Sequence, residues 1–256
     1  CAYYLAQMGY YPTVFEKNEK PGGMLTYGIP SYKLEKNVID AEIDIMREMG
    51  VEIKCGVEVG KDITIDQLRA EGYKAFYVAI GCQGGKKPNV VGSDAEGVTT
   101  AVDFLKVANC GGYAVKGKTI VIGGGNVAID AARVSVRSGA KEVAMYCLET
   151  RDIMPASNEE IREAQEDGVA INCGWGPKEV VVENGKAVAV VFKKCLSVFD
   201  ENNKFNPVYD EKETQTVSCD NVIFAVGQTT VWGDLLKGSK VEFGRGNRPV
   251  ADTLTY

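Results

Sequence analysis

The chain has 256 residues, an apolar fraction of 45%, a charged fraction of 25% and a formal net charge of −6. That length accommodates one large or two modest domains. The acidic balance offers no general attraction to nucleic acid or to an anionic membrane, and no apolar run approaches the roughly 18 residues of a bilayer span. Histidine is absent, which rules out a His-based triad, a His metal site or a His proton shuttle within this chain.

Eight cysteines lie at positions 1, 55, 82, 110, 147, 173, 195 and 219, with no C-x-x-C pair among them. This excludes a local thioredoxin-like redox pair and leaves no zinc or iron–sulfur spacing. Several sit in apolar, strand-like contexts and read as buried free thiols. Reduced thiols fit a cytoplasmic protein best. The chain opens at Cys1 without Met, inside an apparent helix, so the lack of a signal peptide is poor evidence of location.

Cys1 to Met8 reads as the end of an amphipathic helix stopped by Gly9. Thr13 to Glu16 is a short strand ending in a carboxylate, followed by Lys17 and the turn Pro21-Gly22-Gly23. Helix, strand and terminal acid repeat the second half of a dinucleotide-binding unit, without its opening strand and glycine turn. On this reading Glu16 binds a ribose; a surface carboxylate at a strand end answers the same pattern. Val38 to Met49 is a helix whose apolar positions 38, 39, 43, 45, 46 and 49 suggest core packing. Strands follow at Val51 to Lys54 and Ala75 to Ile80, with a short helix from Ile65 to Ala70, N-capped by Thr64, between them. Gly84 to Pro88 is a loop, Thr99 to Ala108 a helix, and Gly111-Gly112 a hinge.

Residues 118 to 149 carry the strongest signal. Thr119 to Ile122 is a β-branched run of the kind that forms a buried parallel strand. Gly123, Gly124 and Gly125 follow at once, then Asn126, Val127, Ala128 and a helical run to Arg137 ended by Gly139. Glu142 to Leu148 is a second strand. Strand, glycine turn, helix and strand form a dinucleotide-binding unit in its G-x-G-x-x-A variant. Gly123 permits the tight turn, Gly125 lets backbone approach a pyrophosphate, and Ala128 keeps helix and strand close. The helix N-terminus offers N–H groups and partial positive charge to the phosphates. A βαβ unit with a tight turn and no ligand is the plain structural alternative. Glu149 lies about two dozen residues beyond Gly125, where NAD sites place an acid on the ribose hydroxyls. A carboxylate would repel the 2′-phosphate of NADP, so NAD is favoured, although Arg151 stands close by.

Glu159 to Gln165 reads as a helix ended by Gly168, with Ser157 and Glu160 at capping-box spacing. Ala170 to Cys173 is a strand, and alternation over 180–182, 187–194 and 216–219 gives a meander, with Asn184-Gly185 as a hairpin turn. Val222 to Gly227 is another buried strand, and the segment to Tyr256 is a connector without a motif.

Glu16-Lys17, Pro21-Gly-Gly-Met-Leu, Tyr27-Gly-Ile-Pro30, Lys33-Leu34-Glu35, Gly50-Val51, Val59-Gly60, Ala79-Ile80-Gly81, the glycine turn at 123 and Met154-Pro155 occur in an order that closely resembles the small subunit of glutamate synthase and the flavin domain of dihydropyrimidine dehydrogenase. The resemblance runs end to end and is most specific over residues 22 to 30. It implies an α/β fold of two nested Rossmann-like dinucleotide-binding domains with parallel central sheets plus a small β-meander. The expected division is a partial FAD-binding domain at 1–105, an inserted NAD(P)-binding domain at 106–226, and a connector returning to the FAD domain at 227–256. Carried over by residue, Glu16 with Lys17 would hold the FAD ribose. Gly23, Met24 and Leu25 would line the flavin cleft, and Gly28, Ile29 and Pro30 would lie near the isoalloxazine. Val59 would touch the adenine, and Gly81 and Gly227 would mark the crossings between domains. The family's FAD glycine turn and Gly-Gly-Asp segment would fall just beyond the two ends, so a fragment of a flavoprotein is expected. The Arg pair of NADPH-using members falls here on Leu148 and Glu149, which again favours NAD.

The resemblance further implies hydride transfer from a nicotinamide nucleotide to FAD, with electrons leaving to an iron–sulfur protein or larger catalytic subunit. The flavin does the chemistry, so no catalytic acid, base or nucleophile is nominated and no metal ligand is expected. The alternative is a dinucleotide-binding module that catalyses nothing in this form.

Overall fold

The computed structural model describes every residue except 113, 253, 255 and 256. In chain order the elements are α1 (Ala2–Gln7), β1 (Thr13–Glu16), α2 (Gly23–Tyr27), α3 (Lys36–Glu48), β2 (Glu52–Cys55), α4 (Ile65–Ala70), β3 (Gly84–Gly85), β4 (Val98–Thr100), α5 (Ala101–Asn109), β5 (Lys118–Ile122), α6 (Asn126–Arg137), β6 (Glu142–Cys147), α7 (Asn158–Glu166), β7 (Ala170–Cys173), β8 (Trp175–Glu183), β9 (Lys186–Phe199), β10 (Phe205–Ser218), β11 (Asn221–Phe224) and β12 (Gln228–Thr229). The expected α/β class with parallel sheets and a meander is the fold observed. The chain forms two compact units, one from 1–22, 37–80 and 231–256, the other from 23–36 and 81–230.

In the first unit β1 and β2 pair in parallel, with Glu16 opposite Cys55. Thr64 caps α4 in a complete capping box, its hydroxyl accepting from Gln67 N while the Gln67 side chain accepts from Thr64 N. Two expectations fail here. Residues 75–80 form no strand, and Tyr77 and Val78 are exposed. A buried parallel strand needs ladder partners and covered faces, and the only ladder of this unit among the described residues stops at β1 and β2. For the same reason α3 buries only Ile39 and Ile43 of its apolar positions, leaving Val38 and Ile45 about half exposed.

The second unit is built on a five-stranded parallel sheet in the order β4-β11-β5-β6-β7. From β5 the chain moves outward through β6 to β7, then returns on the other side of β5 as β11. The reversal makes the C-terminal end of β5 the topological switch point of an open α/β sheet, where such folds place their ligands. Strand alternation sorts the core into two layers. Val121, Val143, Met145, Cys147 and Ile223 face one way and pack with Phe104, Leu105, Ile129, Ala132 and Ile161 of α5, α6 and α7. Ile120, Ile122, Tyr146, Val222 and Phe224 face the other way, against Val180, Val190 and Phe192 of the meander. Tyr146 stacks on Phe192 with ring centroids 4.1 Å apart. Full burial of each large aliphatic side chain contributes about 1.5–3 kcal/mol.

The meander is antiparallel, in the order β10-β9-β8. Asn184 and Gly185 both take positive φ, 49° and 83°, as a tight hairpin turn requires. The second turn is held by Asp200 Oδ1, which accepts from Asn202 N and Lys204 N. β3 and β12 form a short antiparallel ribbon, Gly85 opposite Gln228, where the chain enters and leaves this unit. β4 was not expected: its Val-Thr-Thr is too short to show a period, and it exists because β11 supplies a parallel partner.

Candidate functional site

The second unit brings the triple glycine to the C-terminal end of β5. Gly123 has φ 146°, and a β-carbon there would come under 3.0 Å from the Ala225 carbonyl at the end of β11. No side chain fits. Its N–H donates to Tyr146 O at 2.9 Å, so the turn is tied to β6 as well. Ala128 is fully buried in the helix-side layer, in keeping with its role as a small contact between helix and sheet.

Gly125 is different. It is the N-cap of α6 with φ −95° and ψ 174°, and a β-carbon there would meet nothing within 4 Å. Its lack of a side chain relieves no internal crowding; it leaves the backbone open on the solvent side. Internal hydrogen bonding of the helix begins with Ala128 N to Gly125 O at 2.9 Å. The amides that precede it, at the positive end of a 12-residue helix, suit a phosphate.

Glu149 lies over this turn. A β-carbon on Gly124 would come 2.7 Å from Glu149 Oε2 and 3.1 Å from the Cys147 β-carbon. The carboxylate is thus within reach of whatever the turn holds. Its backbone is pinned from β7, since Gly174 N donates to Glu149 O at 3.0 Å. Arg151, in a 3₁₀ turn at Arg151–Ile153, is exposed and donates to Asn158 Oδ1 at 3.1 Å.

The loop after that turn is laced back to the glycines, which the sequence did not reveal. Ala156 N donates to Gly124 O at 3.0 Å, and Ser157 N to Asn126 Oδ1 at 3.0 Å. Asn126 therefore braces the loop that closes the turn; Val127, beside it, is half-buried against the core. Ser157 caps α7, accepting from Glu160 N at 3.3 Å. The Glu160 carboxylate instead pairs with Lys33.

The segment 23–36 belongs to the same compact unit as these glycines. Gly23 (φ 52°) opens α2, and Gly28 N and Ile29 N both donate to Met24 O, at 2.8 and 2.9 Å. Gly28 is packed against the end of the Met24 side chain. Lys36 Nζ donates to Leu25 O at 2.8 Å and Ile29 O at 2.5 Å, and burial lowers its pKa. Beyond Pro30, Lys33 Nζ lies 2.5 Å from Asp130 Oδ1 of α6 while also pairing with Glu160 of α7. The Tyr32 ring sits under two guanidiniums, 4.8 Å from Arg133 and 4.3 Å from Arg137. Burial, then the Asp130 charge, raises the Tyr32 pKa. Gly81 (φ 63°) and Gly227 (φ 116°) sit beside the β3–β12 ribbon, where Lys86 N donates to Gly227 O at 3.0 Å.

Glu16, Lys17 and Val59 lie in the first unit. Glu16 Oε1 accepts from Asn18 N and Nδ2 at 2.8 and 2.7 Å. Val57 N donates to Glu16 O at 3.0 Å, which places the Val57–Val59 segment at the same C-terminal strand end as Glu16. Val59 itself bridges to Ile63.

A glycine turn at a switch point, under an acid at the end of the next strand, defines a Rossmann-like α/β fold. Residues 1–255 match the pyridine nucleotide-disulphide oxidoreductase family, and the chain belongs to it. It is 34% identical over 89% of its length to the glutamate synthase [NADPH] small chain of Halomonas elongata, and 37% identical over 91% to the NAD-dependent dihydropyrimidine dehydrogenase subunit PreT of Escherichia coli O157:H7. It is 35% identical over 99% to the NADP(+)-dependent formate dehydrogenase subunit beta of Moorella thermoacetica. The resemblance to glutamate synthase small chains is thereby shown. The chain spans 50%, 52% and 36% of those three relatives. In fold it is similar to Mycobacterium tuberculosis FprA in complex with NADPH (TM-score 0.75, 17% identity, 92% of this chain and 66% of that one). It is also similar to T. acidophilum thioredoxin reductase (TM-score 0.68, 20% identity, 98% and 80%).

Proposed function

We propose that this chain is the nucleotide-binding part of a flavoprotein that takes hydride from a nicotinamide nucleotide and passes electrons to an iron–sulfur partner or larger catalytic subunit, in the cytoplasm. The observation that carries the nucleotide half is Gly125, open at the N-terminus of α6 beside Gly124, over which the Glu149 carboxylate lies. In this reading the amides of Gly125, Asn126 and Val127 bind the pyrophosphate and Glu149 accepts from the adenosine ribose. Gly123 and Ala128 hold strand and helix at the distance the turn needs, and Asn126 and Ala156 tie the following loop to it.

FAD, when bound, supplies the two-electron to one-electron chemistry. The resemblance assigns to it Glu16 with Lys17 and Val59, at one strand end of the first unit, and, in the second unit taken by itself, Gly23, Met24, Leu25, Gly28, Ile29 and Pro30 of the tightly bonded turn. Gly81 and Gly227 carry the chain across at the ribbon. Relatives named as subunits of oxidoreductases, such as the NADPH-Fe(3+) oxidoreductase subunit beta of Geobacter sulfurreducens, support the electron-carrier role. The absence of C-x-x-C from the sequence argues against disulfide reduction of the thioredoxin-reductase kind.

For the nucleotide we propose NAD, on the placement of Glu149. Relatives carry both names, NADPH and NAD. Side-by-side titration with NADH and NADPH, followed by nicotinamide fluorescence, tests the choice. Tighter NADH binding that reverses in Glu149→Arg supports it, and tighter NADPH binding by the unaltered chain refutes it. NADH oxidation with an artificial acceptor, with and without added FAD, tests the rest: FAD-dependent turnover supports a flavoprotein. NADH binding with no turnover under either condition favours a binding module.

A further inference from the structure

Among the eight scattered cysteines, the fold brings two together that no local motif would pair. Cys147 ends β6 and Cys173 ends β7, and they stand directly opposite in the parallel register. Both side chains point to the helix-side layer, Cys147 within it and Cys173 packed against it. Neighbouring strands run about 4.8 Å apart, inside the roughly 4.4–6.8 Å between α-carbons that a disulfide spans.

Each thiol also supports the nucleotide site. Cys147 Sγ donates to Glu149 O at 3.6 Å, the carbonyl that Gly174 N also reaches. Cys173 Sγ donates to Met154 Sδ at 3.7 Å, two residues before the Ala156 amide that holds Gly124. The Cys147 β-carbon lies under Gly124 itself.

We infer that Cys147 and Cys173 form a reversible disulfide that weakens nucleotide binding at the glycine turn. A hydroperoxide is small enough to reach the half-buried Cys173. Its sulfur attacks the peroxide oxygen, giving a sulfenic acid and water, or an alcohol from an alkyl hydroperoxide. Cys147 then displaces hydroxide from that sulfur, releasing a second oxygen as water and leaving the S–S bond. Two thiols lose two protons and two electrons, and the peroxide takes up both. The bond removes the S–H donors from Glu149 O and Met154 Sδ, loosening the backbone on both sides of the turn. A bridge confined to the strand spacing is the kind that thiols reduce readily.

The bond stands by itself, whereas its effect on NADH rests on the function proposed above. The full chain, reduced and then exposed to hydrogen peroxide, is alkylated, digested and mapped by mass spectrometry, and NADH affinity is measured before and after. A peptide linking Cys147 to Cys173 is expected, with NADH affinity lowered about three- to tenfold, the scale of one or two lost hydrogen bonds, and restored by dithiothreitol. Cys173→Ser abolishes the linked peptide and the peroxide response, each read against that variant's own reduced affinity. Linkage of Cys173 to Cys195, over-oxidation without linkage, or a 147–173 bridge with unchanged affinity overturns the inference. A reduced chain that binds no NADH refutes the nucleotide reading and the switch together, while the peptide map still decides whether the bond forms.

Discussion

Gly123 and Gly125 are two residues apart in one turn, and the structure assigns them opposite reasons for being glycine. A methyl at Gly125 meets nothing within 4 Å, and the backbone there is in the extended region open to any residue. Gly125→Ala therefore costs only the small preference of an N-cap for glycine over alanine, about 0.5–1 kcal/mol, or a Tm lowered by about 1–4 °C at this chain length. The methyl stands where a pyrophosphate would approach. Losing one or two amide–phosphate hydrogen bonds, at about 1.5–3 kcal/mol each, weakens NADH binding by at least about tenfold, and Gly125→Val weakens it further. A methyl at Gly123 is forced into the Ala225 carbonyl with φ 146°, a clash and strain of about 2–4 kcal/mol, so Gly123→Ala lowers Tm by about 5–12 °C. Differential scanning fluorimetry and NADH titration of both variants separate fold from site. Unchanged NADH affinity in Gly125→Val, or a Gly125→Ala protein as unstable as Gly123→Ala, refutes the assignment of Gly125 to a ligand.

Lys33→Met leaves the half-buried Asp130 carboxylate, whose pKa burial already raises, without its cation; a loss of about 1–3 kcal/mol in chemical denaturation is expected, and Asp130→Asn in the same background recovers part of it. Asp167 is paired with Arg137 and Arg133, and its carboxyl is held below the ordinary carboxylate range, the Arg137 hydrogen bond being the largest cause. Because the folded pKa is depressed, that stabilisation is complete above about pH 4 and is lost as pH falls through the folded value. The Tm gap between the unaltered chain and Asp167→Asn should thus be widest near neutrality and close on acidification towards pH 3, and a gap independent of pH counts against the pairing. Thr64→Ala removes one half of the α4 capping box and should cost about 1 kcal/mol, measured as earlier melting of the first unit by hydrogen exchange across 64–70.

What was legible in the sequence was what short-range physics decides. Thr119 to Ile122, the glycines and the helix after them announce themselves because the strand period, the turn and the helix start are all encoded within a few residues. Thr64 with Gln67, and Asn184 with Gly185, were equally plain for the same reason. The misreading of Ala75 to Ile80 shows the limit. An apolar β-rich run is only a candidate strand, and its ladder partners are set by parts of the chain that the run does not contain. β4 is the converse, three residues with no pattern of their own that become a strand because β11 returns beside them.

The site divides along the same line. The glycine turn could be read directly, because it is made of consecutive residues. What positions it could not be, since Gly174, Ala156 and Ser157 reach Glu149, Gly124 and Asn126 from separate elements. Glu160 illustrates the ambiguity most clearly. Its spacing from Ser157 suggested a capping box that would account for both residues locally, yet only the serine half serves the cap, and the carboxylate reaches Lys33, far away in sequence. A charged side chain has one best partner among many of comparable strength, and tertiary structure, which also buries Asp130 beside the same ammonium, decides which. Spacing can thus name a turn made of consecutive backbone, but it cannot name the residues that hold that turn still, and Cys147 and Cys173, brought opposite one another only by the sheet register, belong to that second group.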